Sequence, residues 1–283
     1  MLRQILLLHW VVVCLIAASF DIQGQSVKPY IGIHGGINIT QPQILGSYDI
    51  ITLLDGEALQ GSRYNSLFRN FGNQIGFSFL LEFSDHLAIG LMPQTARYSY
   101  GYSSSMDFFS NDGTLASTTE NTSKQRLSYL NFPLFVQYTI RRADFSPFLI
   151  AGFSYGYLRN AQHDVVTNTT IYTNGEELVF SQPTSDNYSS EFIHSKLSLL
   201  GGIGAFYDLT VFRLAADVTY WYGLNNISHE TNRFQNQTIS GSTYDISDDI
   251  KLHHFVLNIS LLFPINKQTN RGSLDCVTTK KRR

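Results

Sequence analysis

Charged residues are scarce in this sequence. Lys, Arg, Asp and Glu make up 15% of the 283 residues, against roughly 25% in soluble domains. The aromatic fraction is high, at 13%, and this combination is typical of a protein whose outer surface does not lie wholly in water. The net charge is -2 and the only basic cluster is residues 280–283. Because no basic face could neutralise phosphates, the composition argues against a nucleic-acid-binding protein.

Cysteines and long apolar runs are also few. The two cysteines, Cys14 and Cys276, do not indicate a disulfide framework. Residues 1–24 combine a positive start at Arg3 with an apolar core and are predicted to be a secretory signal peptide. No apolar run of about 18 residues follows, so no transmembrane helix is predicted. An exported chain of this kind can span a membrane only as a closed barrel.

Alternation of apolar with small or polar residues recurs along the chain. It is clearest in residues 127–157, where two alternating runs flank the short turn RRADF and predict an antiparallel hairpin. Similar runs predict roughly eight strands of about ten to thirteen residues, a length that suits a tilted membrane crossing. The predicted strands cover residues 28–40, 72–83, 87–102, 127–140, 146–157, 196–207, 212–222 and 251–263.

The expected fold is all-β: an eight-stranded antiparallel up-and-down transmembrane β-barrel over residues 25–264, with four long external loops. A soluble barrel would need a charged exterior, whereas the non-apolar face here is mainly Gly, Ser, Asn and Thr. The connections alternate between short and long, and outer-membrane barrels have short periplasmic turns and long external loops. We therefore expect a bacterial outer-membrane protein whose two termini, including a basic tail at residues 265–283, are periplasmic.

The third predicted strand carries an irregularity. Its apolar residues fall on odd positions up to Leu91 and on even positions from Ala96, so we predict a β-bulge near Pro93. The later apolar set includes Tyr100 and Tyr102, which are assigned to an outward aromatic girdle beside the long loops.

The long connections are polar. Residues 103–124 are rich in Ser, Thr and Asn and are predicted to be a loop, and a short helix is considered at residues 50–59. Within the connection at residues 160–195, the apolar residues at 171–172 and 178–180 could extend a hairpin beyond the membrane.

Five charged residues are predicted to form a polar network on the luminal face: Glu82, Arg97, Arg213, Asp217 and Lys196. An isolated buried charge costs several kcal/mol, so these residues are expected to pair and to plug the lumen. The same groups could instead line a narrow polar path. A wide diffusion pore is not expected, because about eight strands leave room only for side chains.

Catalytic and metal-binding patterns are not found. His34, His253 and His254 could be assembled into a hydrolase site, but nothing in the sequence determines their spacing. Neither a His-Glu-x-x-His nor a Gly-x-Ser-x-Gly pattern occurs. We therefore predict no metal, no cofactor and no catalytic residue, and we expect that the protein is not an enzyme.

Several segments together resemble the PorT-like outer-membrane β-barrel family of Gram-negative bacteria. They are LSYLNFPLFVQYTI, SPFLIAGFSYGYL, LGGIGAFYDL, DVTYWYGLNNI and FVLNISLLF. The resemblance implies an eight-stranded barrel and, for the namesake members, an accessory part in type IX protein secretion. One departure is that this chain continues past Phe263, whereas family barrels commonly finish on the aromatic residue of the last strand.

The leading functional hypothesis is a non-enzymatic barrel in outer-membrane lipids that docks envelope or secretion-machinery proteins. One alternative is a surface-exposed ligand-binding or adhesin-like small barrel that acts through its long loops. Another is a narrow channel.

Overall fold

The computed structural model describes residues 27–48, 58–64, 70–110, 112–141, 143–173, 176–187, 189–209, 211–232 and 248–265. The predicted signal peptide, the tail beyond residue 265 and residues 50–57 of the considered helix lie outside the described residues; residues 58–59 belong to a strand. The strands are β1 Lys28–Gly46, β2 Ala58–Tyr64, β3 Phe71–Glu82, β4 Leu87–Leu91, β5 Gln94–Phe109, β6 Leu115–Thr139, β7 Phe145–Thr173, β8 Glu176–Asn187, β9 Ser195–Asp208, β10 Arg213–Gly223 and β11 Asp249–Pro264. In these ranges, no helix is long and apolar enough to cross a membrane.

The described strands close into a ring with eight positions. Around the ring the order is β1, β3, β4 with β5, β6, β7, β9, β10 and β11, and β11 pairs back with β1. Neighbouring positions are antiparallel throughout. The predicted eight-stranded antiparallel barrel is therefore confirmed. β2 and β8 lie outside the ring, paired with β5 and β7 respectively.

One ring position is divided into β4 and β5 at Pro93. The register with β3 is the same on both sides, with Phe79 opposite Leu91 and Gly76 opposite Gln94. No residue is inserted between these pairs, so the β-bulge predicted near Pro93 is wrong. Proline lacks a backbone N–H and interrupts the ladder only locally.

The alternation of side chains also continues unchanged across Pro93. Ala96, Tyr98, Tyr100 and Tyr102 all point into the barrel, and none of them is more than 7% exposed. The outward girdle position predicted for Tyr100 and Tyr102 is therefore wrong. In β5 the aromatic residues are on the inward face and the exposed outward residues include Thr95, Arg97 and Ser103, so the apolar pattern alone indicates the wrong face.

A true β-bulge lies in β7. The register with β6 steps from Tyr129 opposite Leu158 to Ser128 opposite Asn160, which leaves Arg159 as the extra residue. Even-numbered residues of β7 point inward before the bulge, and odd-numbered residues point inward after it. The extra residue therefore changes the phase of β7 while that of β6 continues.

The outward face of the ring forms an apolar belt. On β6 it runs over alternate residues from 130 to 140, which are Leu, Phe, Leu, Val, Tyr and Ile. Ten residue steps at about 3.4 Å, tilted by about 40°, span roughly 26 Å, close to the hydrocarbon thickness that barrels cross. Aromatic residues that are exposed on this outward face, towards one end or the other, include Tyr138, Tyr155, Tyr157, Tyr207, Tyr220, Tyr222 and Phe263.

The two ends of the ring differ. One end, the short-turn end, carries the connections at residues 83–86, 140–144 and 209–212. At the other, the extended end, β5, β6 and β7 continue beyond the belt, and β8 and β2 pair with them. We call this region, residues 58–64, 102–109, 115–126, 161–173 and 176–187, the distal sheet.

The loop predicted at residues 103–124 is wrong for most of its length. Most of these residues continue β5 and β6, and Gly113, between the two strands, adopts a φ of 81°. Serine and threonine runs can form strands because threonine is β-branched and pairs well across strands. The hairpin extension predicted at residues 171–172 and 178–180 is confirmed.

Gly152 provides a test of ring closure. It faces the barrel lumen from β7, and a Cβ at this position would overlap the backbone of Leu134 and Phe135 on β6. We expect Gly152→Leu to prevent β6 from pairing with β7 and so to abolish the compact, heat-modifiable form on detergent gels. The control, Ala151→Leu, lies on the outward face of the same strand and should keep that form. An equal folded fraction for the two variants would contradict this expectation.

His163 provides a test of the distal sheet. It is 1% exposed, and burial lowers the pKa of its imidazole from 6.5 to about 4. Between pH 6.5 and about pH 4, His163 binds a proton in the unfolded protein but not in the folded protein. The unfolding free energy is therefore highest above pH 6.5 and falls as the pH is lowered towards 4. The loss in unfolding free energy is roughly 3 kcal/mol.

Thermal unfolding of the purified protein at pH 7 and pH 4.5 should show that loss. His163→Gln should reduce the difference between the two pH values, and His229→Gln, at a partly exposed histidine outside the distal sheet, should retain it. A wild-type melting temperature that does not change over this range would count against the expectation.

Candidate functional site in the barrel interior

Arg213 bridges the lumen near the short-turn end. Its guanidinium donates to the carboxylates of Glu82 and Asp208 and, over 3.0 Å, to the hydroxyl of Tyr30. The Arg213 side chain is 1% exposed, and its Cζ lies 3.9 Å from the ring centroid of Phe206. Glu82 is on β3 and Arg213 on β10, so this ion pair links walls that are separated by β1 and β11.

A second layer lies further into the lumen and is built from amides. Asn258 on β11 donates to the carboxylate of Asp217 on β10 over 3.1 Å. Gln74 on β3 donates in turn to the side-chain oxygen of Asn258. Asp217 is 6% exposed. Among the described residues its carboxylate accepts a hydrogen bond from an amide and forms no ion pair.

Lys196 forms a third layer, towards the extended end. Its Nζ lies 3.8 Å from the ring centroid of Tyr98, 5.1 Å from that of Tyr129 and 6.0 Å from that of Trp221. His254 packs against two of these rings, with centroids 4.5 Å from Tyr98 and 5.2 Å from Trp221. Lys196 is 1% exposed, and no described residue accepts a hydrogen bond from its Nζ. Aromatic ring faces, rather than a carboxylate, therefore surround the Nζ of Lys196.

Loop residues close the lumen at the extended end. Phe192 and Ile227 are 2% and 0% exposed, and they join Tyr98 in one buried apolar cluster. A backbone hydrogen bond from Ile193 N–H to the Ile227 carbonyl, over 2.6 Å, links the two loops, and one from Ile227 N–H to the Ile250 carbonyl, over 3.0 Å, links them to β11. Together with the three layers below, these residues fill the interior with side chains, as expected for a narrow barrel.

Four of the five predicted luminal residues lie in the lumen, since Glu82, Arg213, Asp217 and Lys196 are all at most 6% exposed. They are divided among three layers, and of the four only Glu82 and Arg213 form an ion pair with each other in the described part of the chain. The luminal position predicted for Arg97 is wrong, because its side chain is exposed on the outward face of β5. The side-chain phase does not slip at Pro93, so odd-numbered positions stay outside. A functional role for the luminal residues stays a prediction.

Sequence reasoning missed several residues of the interior. Asp208 falls between the strands predicted at residues 196–207 and 212–222, and the sequence does not connect Lys196 with Tyr98, Tyr129, Trp221 and His254. A signal for Asp208 is present, because it faces Arg213 across the β9–β10 hairpin and opposite charges at paired positions attract. No comparable local signal brings together the rings around Lys196, which come from four ring positions.

The three histidines considered for a hydrolase site are not brought together. His34 lies in the lumen, with ring nitrogens 2.9 Å from the Ser78 hydroxyl and 2.7 Å from the Gln94 side-chain oxygen. His253 and His254 are adjacent in β11 and therefore point to opposite faces. The geometry thus offers no hydrolase site built from these residues.

The two buried basic side chains, Arg213 and Lys196, provide a contrasting prediction. Glu82→Gln removes a carboxylate from Arg213 and should lower the unfolding free energy by roughly 3 kcal/mol, because it leaves a buried charge less compensated. Lys196→Met replaces an amine that has no carboxylate partner and should leave stability unchanged or raise it.

Urea unfolding in detergent micelles, followed by tryptophan fluorescence, would compare both variants with the wild type. Arg213→Met combined with Glu82→Gln serves as the control, since it removes both members of the pair. An equal decrease in unfolding free energy for Glu82→Gln and Lys196→Met would contradict this difference between the surroundings of Arg213 and Lys196.

Solved outer-membrane structures are similar to this chain at low identity. The outer membrane protein OprG from Pseudomonas aeruginosa is 16% identical, with 87% of this chain and 100% of that chain covered and a TM-score of 0.38. Ail, the attachment invasion locus protein of Yersinia pestis, in complex with the heparin analogue sucrose octasulfate, is 14% identical, with 83% and 99% covered and a TM-score of 0.31. Likeness at this level carries no inference about function. No curated protein matches the sequence.

The family comparison is more informative. Residues 23–229 match the model described as outer membrane protein beta-barrel domain. The match spans more than half of the chain and agrees with the closed ring and its apolar belt. This protein therefore belongs to the outer membrane protein β-barrel domain family.

Proposed function

We propose that this protein is a non-enzymatic outer-membrane barrel that docks an envelope protein through its distal sheet. In the PorT-like family that its segments resemble, this role would be an accessory one in type IX secretion. The extended end then faces the outside and both termini face the periplasm, in keeping with the long and short connections of such barrels.

The observation that carries this proposal is the edge of the distal sheet at β8. Among the described strands, β8 pairs with β7 alone. Its consecutive residues Leu178, Val179 and Phe180 are 49%, 65% and 58% exposed. An edge strand offers backbone groups for pairing, and an extended partner segment that added to it would also cover these apolar side chains.

The interior supports a scaffold role. Side chains from facing walls meet in three layers, and loop residues cover them at the extended end. An interior filled in this way favours neither catalysis on a substrate in the lumen nor the narrow channel.

The docking role is tested by changing the edge of β8. Val179→Lys with Phe180→Lys should reduce recovery of the envelope partner by about tenfold or more, because it places charge where apolar contact is needed. Co-purification from detergent-solubilised membranes, with quantitative mass spectrometry of the bound proteins, measures this effect.

Gln182→Lys is the matched control, since it adds a lysine to the same edge strand outside the apolar segment. If the wild type, the double lysine variant and Gln182→Lys all recovered the envelope partner equally, docking at β8 would be rejected. If the wild type recovered no envelope or secretion protein, the docking function itself would be rejected.

A cavity at the extended end favours a second candidate, a surface-exposed ligand-binding or adhesin-like barrel. The cavity has a volume of about 780 Å³, within the range of small-molecule sites. Its lining includes Ser190, His194, Ser195, Ser228, His229 and Thr231. Deleting residues 163–185 would remove the β8 edge but not these residues, so it separates the two candidates.

A further inference from the structure

Four cations lie on the outward face of three neighbouring strands, from the end of the apolar belt at the extended end into the distal sheet. We call Arg97, Lys124, Arg126 and Arg159 the basic patch. Arg97, Lys124 and Arg159 are exposed, and the side chain of Arg126 is 36% exposed. They come from three adjacent ring positions, β5, β6 and β7.

The strand registers place the basic patch at the boundary of the belt. Arg97 pairs with Ser128, which is two residues from Leu130 at the end of the belt on β6. Two residues along a strand correspond to about 7 Å. Ser128 also pairs with Asn160, directly beside the bulged Arg159. The Cα atoms of Arg97 and Arg159 therefore lie at the level at which hydrocarbon gives way to lipid headgroups.

Positive charge in the basic patch exceeds negative charge. Arg126 forms a salt bridge with Asp164 and a long hydrogen bond of 3.4 Å with Gln162. The side chains of Arg97, Lys124 and Arg159 form no ion pair with any acidic residue in the described ranges. Three cations are thus available to an external anion.

The basic patch occupies only one side of the barrel. On β1 and β3, the polar residues of the outward face near the extended end, Gln41 and Asn73, are uncharged, and β11 carries one cation there, Lys251. The concentration of cations on β5 to β7 indicates a local binding site rather than a uniform ring of charge.

We propose that the basic patch binds the phosphate groups of membrane lipids at the extended end. Arginine presents planar donors that match phosphate oxygens in a bidentate manner, and lysine adds a mobile positive charge. The lipid's acyl chains would then lie along the belt below the basic patch. Two residues of the basic patch, Lys124 and Arg126, lie in the distal sheet, but the proposed docking edge is on β8 and shares no residue with the basic patch.

The probe is lipid A, a phosphate-bearing lipid, added to the full folded protein in a neutral detergent. Native mass spectrometry counts the bound lipid for the wild type and for a variant with Arg97→Gln, Lys124→Gln and Arg159→Gln. We expect the variant to bind lipid A about tenfold more weakly or worse. Arg126 is left unchanged so that Asp164 keeps its partner.

Lys28→Gln with Arg141→Gln is the matched control, because it removes two exposed cations at the short-turn end. It should bind lipid A like the wild type, and heat-modifiable mobility establishes that every variant is folded. Dephosphorylated lipid A should bind weakly to all three proteins.

The proposal is overturned if the triple variant binds lipid A as the wild type does, or if dephosphorylated lipid A binds equally well. It is also overturned if inorganic phosphate or heparin, at the same concentration, displaces the lipid completely. Either competitor would identify a site for soluble anions.

Discussion

A backbone N–H or C=O group that lacks a partner in hydrocarbon costs several kcal/mol, and this constraint underlies the rest of the structure. The chain satisfies it by pairing β11 with β1, so that the ring has no edge within the belt. Beyond the belt the constraint is relaxed because water can satisfy backbone groups. There the sheet opens, and β2 and β8 each pair with one described strand.

Ring closure also determines what the interior must accommodate. Side chains alternate along each strand, so half of those in the wall point into a narrow lumen. Ionisable side chains there have three different kinds of partner: carboxylates for Arg213, an amide for Asp217, and aromatic rings for Lys196. A single substitution should affect the unfolding free energy differently in the three arrangements, because Arg213 has carboxylate partners to lose and Lys196 has none.

Much of the fold could be predicted from the sequence, because a period of two identifies strands and their two faces. The strand count, the ring and four luminal charges followed from that pattern. The position of Arg97 did not, because a strand with aromatic residues on even positions, such as Tyr98, looks as if its phase had slipped. Contacts across the lumen, such as that of Lys196 with Tyr98, depend on barrel closure and have no local signal. The extent of the distal sheet was missed because Ser, Thr and Asn are also common in loops.

The bulge at Arg159 has a consequence for how this protein can change over evolution. Before Arg159, even-numbered residues of β7 point into the barrel interior. After it, odd-numbered residues point inward in the distal sheet, and the one extra residue accounts for this change of phase. Loss of that single residue would turn the distal part of β7 inside out and expose Ala161 and Val165 in place of polar neighbours. A single-residue insertion or deletion at this junction therefore changes every side chain beyond it, whereas a substitution changes one, so the offset between the distal sheet and the wall should be retained.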